Sequence, residues 1–307
     1  MVVATRPRVP IRGMEEICGC RVEGIGMDER RPLAEITGEQ PKAVFATGWH
    51  IEPFNRYCRE TREHGGKAIC MCDNNKTGGL VEWLKGWRFR LLIRNRFDGF
   101  MVPGASGRKL LEGYGVAPDL IREGMYSADS SLFRGGAPLG EREKRILYVG
   151  QFSERKNVRR MCEAFRMANR EKEWKLDLYG CGPVDVAAGG GIDVHPFAQP
   201  EELAEIYRKA RVFCLASVEE HWGLVVHEAA LSGCILALSE RVGAADDLAG
   251  EANGVIFNPY STSDIARKLR TAMEMDGEAL KRAEADSLER AGRINLGRFA
   301  EAVEDLK

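Results

Sequence analysis

Val212-Phe-Cys-Leu-Ala-Ser-Val-Glu-Glu-His-Trp-Gly-Leu-Val-Val-His-Glu-Ala-Ala-Leu-Ser-Gly-Cys-Ile-Leu-Ala-Leu-Ser239 reads in turn as strand, loop, helix and strand. The apolar run at 212–216 suits a strand covered on both faces, and Ser217 ends it. Gly223 admits close approach at the entry of a helix near 224 to 232, Gly233 stops that helix, and Cys234-Ile-Leu-Ala-Leu-Ser239 is the next strand. Working outward, the same rhythm recurs at Arg145-Ile-Leu-Tyr-Val-Gly150, in a helix from about 158 with Val158, Met161, Cys162 and Phe165 on one face, at Lys175-Leu-Asp-Leu-Tyr-Gly180, and in a helix near 201 to 210. Before the polar hinge Gly135-Gly-Ala-Pro-Leu-Gly-Glu-Arg-Glu-Lys144 it recurs again. Ala43-Val-Phe-Ala-Thr-Gly48, a helix near 52 to 64, Ala68-Ile-Cys-Met-Cys72, a helix near 79 to 95 and Gly99-Phe-Met-Val-Pro-Gly104 follow one another. Alternation of this kind predicts α/β architecture: two doubly wound, Rossmann-like domains facing a cleft, at 1–138 and 139–290, with a C-terminal helix at 291–307 packing back on the first.

The chain of 307 residues is long enough for two such domains. Its 45 Lys+Arg against 46 Asp+Glu leave a formal charge of -1, which gives no global grip on nucleic acid, so none is expected as a partner. Residues 1–140 carry 21 basic and 17 acidic side chains, a surplus of +4, and the remainder 24 and 29, or -5. Nine cysteines, an odd number with Cys70, Cys72, Cys162 and Cys214 inside apolar runs, read as reduced, buried hydrophobes. The pairs Cys18/Cys20 and Cys70/Cys72 lack the further ligands of a zinc site, so no metal is expected. The N-terminus meets a charge too soon for a signal sequence, and no uncharged apolar window spans a bilayer. The expected location is cytoplasmic, or peripheral at the inner face of a membrane.

In open α/β sheets ligands gather at the carboxyl ends of the strands, where helix N-termini bring free N–H groups. Three loops of the second domain lie there. Gly150-Gln-Phe-Ser-Glu-Arg-Lys-Asn157 sets Arg155 and Lys156 beside a helix start with Asn157 as its cap, which suits a diphosphate; taken alone, such a loop is more often a solvated basic turn with an ordinary cap. Gly180-Cys-Gly-Pro183 allows close backbone approach at Gly182, as any tight turn does. In the third, Glu228 stands about five residues into its helix, roughly 7.5 Å along the axis, and leans back toward the N-terminus. A carboxylate near a phosphate site is useful for accepting hydroxyl hydrogens, as from a ribose or sugar ring. Glu220-x7-Glu228 therefore points to a ligand with sugar, diphosphate and sugar in series. Glu219 reads as a solvated loop acid, His227 as a packed imidazole, and His221 sits at the helix entry within reach of the ligand.

The segment Glu220-x-Trp-Gly-Leu-Val-Val-x-Glu228-Ala, preceded by Val212-Phe-Cys-Leu-Ala-Ser217, resembles the signature of retaining GT-B glycosyltransferases of the large fourth family. Supporting matches follow in order: the strand and Gly-x5-Lys-Asn at 145–157, Leu-Tyr-Gly-Cys-Gly-Pro at 178–183, Phe197-x3-Glu-Glu-Leu-x2-Ile-Tyr207, and Gly254-Val-Ile-Phe-Asn-Pro259, read as following the last strand. The resemblance is strong over 145–260 and only an outline before it. It implies a nucleotide-sugar donor as substrate with no cofactor or metal, and sugar transfer to a glycan, lipid-linked or small-molecule acceptor hydroxyl. Lys156 would hold the diphosphate, Glu228 the ribose, and Glu220 the reacting sugar as catalytic residue. Backbone amides at Trp222, Gly223 and Leu224 would cradle oxygens, and Gly150, Gly182, Phe197, Ser217 and His221 complete the donor site.

Departures from the family pattern lie at Gln151, where an arginine usually clamps the diphosphate and Arg155 is the nearest substitute, at Ala216 where proline is common before Ser217, and in the shortened first domain. There no glycine-rich loop follows Val2-Val3-Ala4 beyond Gly13, and Cys72-Asp73-Asn-Asn75 stands where a histidine is frequent. Asp73, at a strand end facing the cleft, is the candidate to hold or deprotonate the acceptor; an Asx turn is the alternative. These departures keep a degenerate, non-catalytic sugar-nucleotide-binding protein open as the second reading. At 83–97, Trp83, Trp87 and Phe89 interleave with Lys85, Arg88, Arg90, Arg94 and Arg96; such a stripe either rests on anionic lipid or, more often, packs into a core while its arginines reach solvent.

Overall fold

The computed structural model describes residues 1–5, 19–75, 78 and 80–306, so Gly13 and Cys18 lie outside the described residues. After the parallel pair β1 (Val2–Thr5) and β2 (Val22–Ile25) and the short α1 (Leu33–Thr37), strands and helices alternate. They are β3 (Ala43–Thr47), α2 (Glu52–Glu63), β4 (Lys67–Met71), α3 (Leu80–Leu92), β5 (Gly99–Val102), α4 (Ala105–Gly113) and β6 (Ile121–Glu123). The four strands β3-β4-β5-β6 stand in that order, all parallel.

The second sheet follows with β7 (Arg145–Val149), α5 (Val158–Ala168), β8 (Lys175–Tyr179), β9 (Ile192–His195), α6 (Pro200–Lys209), β10 (Val212–Leu215), α7 (Leu224–Leu231), β11 (Ile235–Ser239), α8 (Ala245–Leu248) and β12 (Gly254–Phe257). Its order, β12-β11-β10-β7-β8-β9, is that of a doubly wound sheet whose direction of growth reverses between β7 and β10. Every residue of β10 and β11 is buried, because helices cover both faces; hence the unbroken apolar runs. Gly254–Phe257 is itself the last strand rather than a segment beyond it, since Leu236 to Ser239 pair with it residue by residue. The strands β2, β6 and β9 are each interrupted by charge, and so lack the unbroken apolar run that marks the comparably short β5 and β10.

Helices α9 (Thr262–Met273) and α10 (Gly277–Gly292) close the second core, and α11 (Leu296–Leu306) crosses back. Its Ala302 and Leu306 are buried against Ile69 and Met101 of the first sheet and Met125 just beyond β6, and Arg122 meets Asp305 at 2.9 Å. The first domain's other core holds Phe89, Phe97, Phe100 and Leu110; Trp83 and Trp87 are absent from it, 65% and 60% exposed, contrary to the commoner outcome for such a stripe. Across the cleft the domains meet at α4 and α8. Both oxygens of Asp247 accept from Ala105 N, at 3.1 and 3.2 Å, and Lys109 pairs with Asp246 at 2.8 Å.

Candidate functional site

At the reversal between β7 and β10 the two outgoing loops part and open a crevice at the strand ends. The loop after β7 passes through a single 3-10 turn, Glu154–Lys156, into Asn157, which adopts a left-handed φ of 58°. Asn157 does not cap α5 with its side chain. Its amide donates instead to the carbonyls of Ala216 at 3.0 Å and Pro259 at 2.8 Å, so it ties this loop to the ends of β10 and β12. Asparagine tolerates the left-handed region, which leaves the amide free for this tie.

Held in this way, Lys156 places its ammonium on Glu220 Oε2, and each residue is only 9% exposed. Ser217 Oγ donates to the same oxygen at 3.3 Å, and Arg155 Nη1 lies 3.6 Å from it while donating to the Glu219 carbonyl at 2.7 Å. The Glu220 backbone is fixed too: its N–H reaches Arg241 O at 3.1 Å, and its carbonyl accepts from Gly243 N and from Asn75 Nδ2, both at 2.9 Å. Gly223 begins α7 with a φ of 92°, and a Cβ there would sit 3.1 Å from Glu220 Cγ. Glycine thus lets a helix N-terminus stand beside the carboxylate.

A cavity of ≈ 600 Å³ opens here. Arg155, Glu220, Trp222, Gly223 and Leu224 wall it from the second domain, and Asp73 and Tyr126 from the first. The buried indole N–H of Trp222 has no partner among the described residues. A second cavity, of ≈ 890 Å³, runs into the first domain along Trp49, Asn74 and Phe89; Asp73, Tyr126, Glu219 and His221 line both. At that junction His221 lies between two acids, Nδ1 at 3.7 Å from Asp73 and Nε2 at 3.2 Å from Glu219. The bond to Asp73, over the opposing cost of burial, raises the imidazole above its ordinary value. In return the imidazole holds the Asp73 carboxyl below the usual range, and Tyr126 Oη lies 3.4 Å from Asp73 Oδ2. Asp73 is therefore better suited to accepting a hydroxyl hydrogen than to removing it.

Glu228 lies deeper. Tyr207 Oη donates to it at 3.0 Å, and burial pushes its carboxyl above the ordinary carboxylate value. Lys156, Ser217 and Glu228 do not themselves line the cavity, and neither do four further residues singled out from the sequence. A Cβ at Gly182 would come 2.2 Å from Phe152 O, so that glycine serves the contact between loops; Gly150 belongs to the same contact, since a Cβ on Gly180 would meet its carbonyl at 2.0 Å. The Gln151 carbonyl accepts from Tyr148 Oη at 2.9 Å, and Phe197 points to solvent beyond β9. His227 is fully buried, accepting from Ala128 N and donating to Ala291 O, both at 3.0 Å. Asn75 and Tyr126 were missed, and only the adjacency of Asn75 to Asp73 gave any local signal.

The model of the family Glycosyl transferases group 1 matches residues 130–290, just over half of the chain. The chain belongs to this glycosyltransferase family. Among curated relatives it is 24% identical over 205 residues to a D-inositol 3-phosphate glycosyltransferase of Corynebacterium aurimucosum, covering 58% of this chain and 49% of the relative. It is 26% identical over 207 residues to a sulfoquinovosyl transferase of Arabidopsis thaliana, covering 61% and 40%. The matched stretch thus spans about half the length of these relatives or less. Among solved structures, Anabaena HepE in complex with UDP and glucose superposes with a TM-score of 0.74 at 12% identity, over 99% of this chain and 91% of that one. A glycosyltransferase from Rickettsia africae superposes with a TM-score of 0.70 at 11% identity, over 100% and 98%. The chain has their GT-B architecture of two Rossmann-like domains facing a cleft.

Proposed function

We propose that the chain transfers a sugar from a nucleoside diphosphate sugar to an acceptor hydroxyl with retention at the anomeric carbon, using no resident metal or cofactor. The observation that carries this reading is the Lys156–Glu220 pair at the sheet's reversal point, beside a helix N-terminus and open to a cavity that Asp73 faces from the other domain. Donor phosphates draw Lys156 away from Glu220, with Arg155 as second cation in place of the arginine missing at Gln151. The freed Glu220 and the amides at Trp222, Gly223 and Leu224 then face the sugar, and Glu228 faces the ribose.

Asp73 orients the acceptor hydroxyl from the adjoining cavity, its ionised form favoured by His221. As the oxygen–carbon bond to the acceptor forms, the bond from the anomeric carbon to the diphosphate breaks. The hydroxyl proton leaves with the departing diphosphate, whose remaining charge Lys156 and Arg155 neutralise. The test is calorimetry with UDP-, GDP- and ADP-hexoses followed by turnover assays. One donor is expected to bind and turn over, and Glu228→Ala to lose that binding with an unchanged circular dichroism spectrum. Equal binding by Glu228→Ala would refute the site, and binding without turnover across a broad acceptor panel would favour the non-catalytic reading.

A further inference from the structure

The helix α3 wears its apolar side outward. Phe89 and Gly86 face the domain, Gly86 because a Cβ there would come within 2.6 Å of the Tyr114 ring. Opposite them Leu80, Trp83, Leu84, Trp87 and Leu91, spaced i, i+3, i+4, i+7 and i+11, form one continuous stripe, each more than half exposed. Arg88 flanks the stripe on one side and Arg90 on the other, with Lys85, Arg94 and Arg96 nearby. Five cations against Glu82 give residues 80–97 a net +4. Arg90 and Arg94 donate to the carbonyls of Tyr114 and Gly115, and none of the five is ion-paired among the described residues. A tryptophan and leucine stripe of this size is not left in water without a partner.

The flanking charge names the partner. At thirteen residues α3 is too short to cross a bilayer, but cations on both flanks of an apolar face fit a helix lying in the surface of an anionic one. Continuity with the site adds a second argument: Lys85, Arg88, Phe89, Leu92, Ile93 and Arg96 also line the cavity that reaches Asp73. We infer that this face docks the chain on an anionic lipid leaflet, and that the acceptor is a lipid whose polar head enters the cavity beside Asp73 while its apolar part stays in the leaflet. This rests on the transferase reading and names its acceptor class.

The experiment is flotation of the full chain with vesicles of phosphatidylcholine alone and with about one third phosphatidylglycerol, with brominated lipid as a tryptophan quencher. Expected are binding to the anionic vesicles only, quenching there, release by salt, and about a tenfold or greater loss of partition in Trp83→Ser/Trp87→Ser. That variant keeps donor binding by calorimetry, whereas Lys156→Ala loses donor binding and still floats, so failure of the donor site and failure of the docking face are separable. No partition by the parent chain would overturn the inference. So would undiminished partition by the double variant, or a dimer in sedimentation velocity that dissociates on the same substitutions.

Discussion

Replacing Lys156 with methionine leaves Glu220 as a carboxylate nine-tenths buried and deprived of its nearest cation. Breaking a buried pair from one side costs about 3–5 kcal/mol, because the surviving charge keeps its desolvation cost. Two groups remain to soften this, Ser217 Oγ at 3.3 Å and the half-exposed Arg155 at 3.6 Å, so the loss for Lys156→Met should fall to about 2–3 kcal/mol. The double variant Lys156→Met/Glu220→Gln removes both charges and should recover most of it, ending within about 1 kcal/mol of the parent. Urea denaturation followed by far-ultraviolet circular dichroism measures the cycle; in thermal terms the single variant should melt roughly 5–10 °C lower. Sugar transfer should be absent from both variants, since the diphosphate has lost its clamp in each. Stability restored without activity separates the two duties of the lysine. A single variant within about 0.5 kcal/mol of the parent, or a double variant whose losses simply add, would show that the pair is not desolvated and that the reasoning is wrong.

Gly223→Ala forces a left-handed backbone on alanine and brings its Cβ against Glu220 Cγ, a cost of about 1–2 kcal/mol. A melting point lower by a few degrees, with a fall in kcat, is expected; an unchanged melting point would contradict the geometry. Burial pushes the Asp247 carboxyl up to about 6, against a hydrogen bond from Ala105 that favours its ionised form. Its value is raised above the roughly 3.9 of an unfolded chain, so the group favours the fold at low pH and loses that contribution as pH climbs from about 4 to 6. Denaturation curves of the parent should therefore weaken across that window relative to Asp247→Asn; parallel curves would count against a buried interdomain carboxyl.

The second sheet was legible because each of its central strands is covered on both faces, and sustained apolar runs have no other economical placement. Lys156 and Glu220 were legible as separate residues but not as partners. Their contact depends on the Asn157 amide tying two loops together across 59 residues of sequence, and no local pattern encodes that. Asn75 escaped for the same reason, since its partners Glu220 and Arg241 lie in the opposite domain, and Tyr126 because its contact with Asp73 joins residues 53 apart in sequence. For the stripe on α3 the sequence left two placements open, on a lipid surface or in the core, because periodicity finds an amphipathic helix without saying which side meets the protein; Phe89 packs inward while Trp83 and Trp87 stay exposed. Gly86 was the overlooked clue: a glycine in mid-helix marks the face that must come closest to a neighbour, here Tyr114.

The crossing of α11 onto the first sheet bears on how the molecule is made. Ala302 and Leu306 complete a core around Ile69 and Met101, and Leu306 lies against the spot that a side chain on Gly99 would need. During vectorial synthesis β3 to β6 leave the ribosome with that face bare, while β7 to β12 and their helices emerge able to close their own core. The second half of the chain should thus reach its native packing before the first, and the first should remain a client for chaperones until α11 arrives.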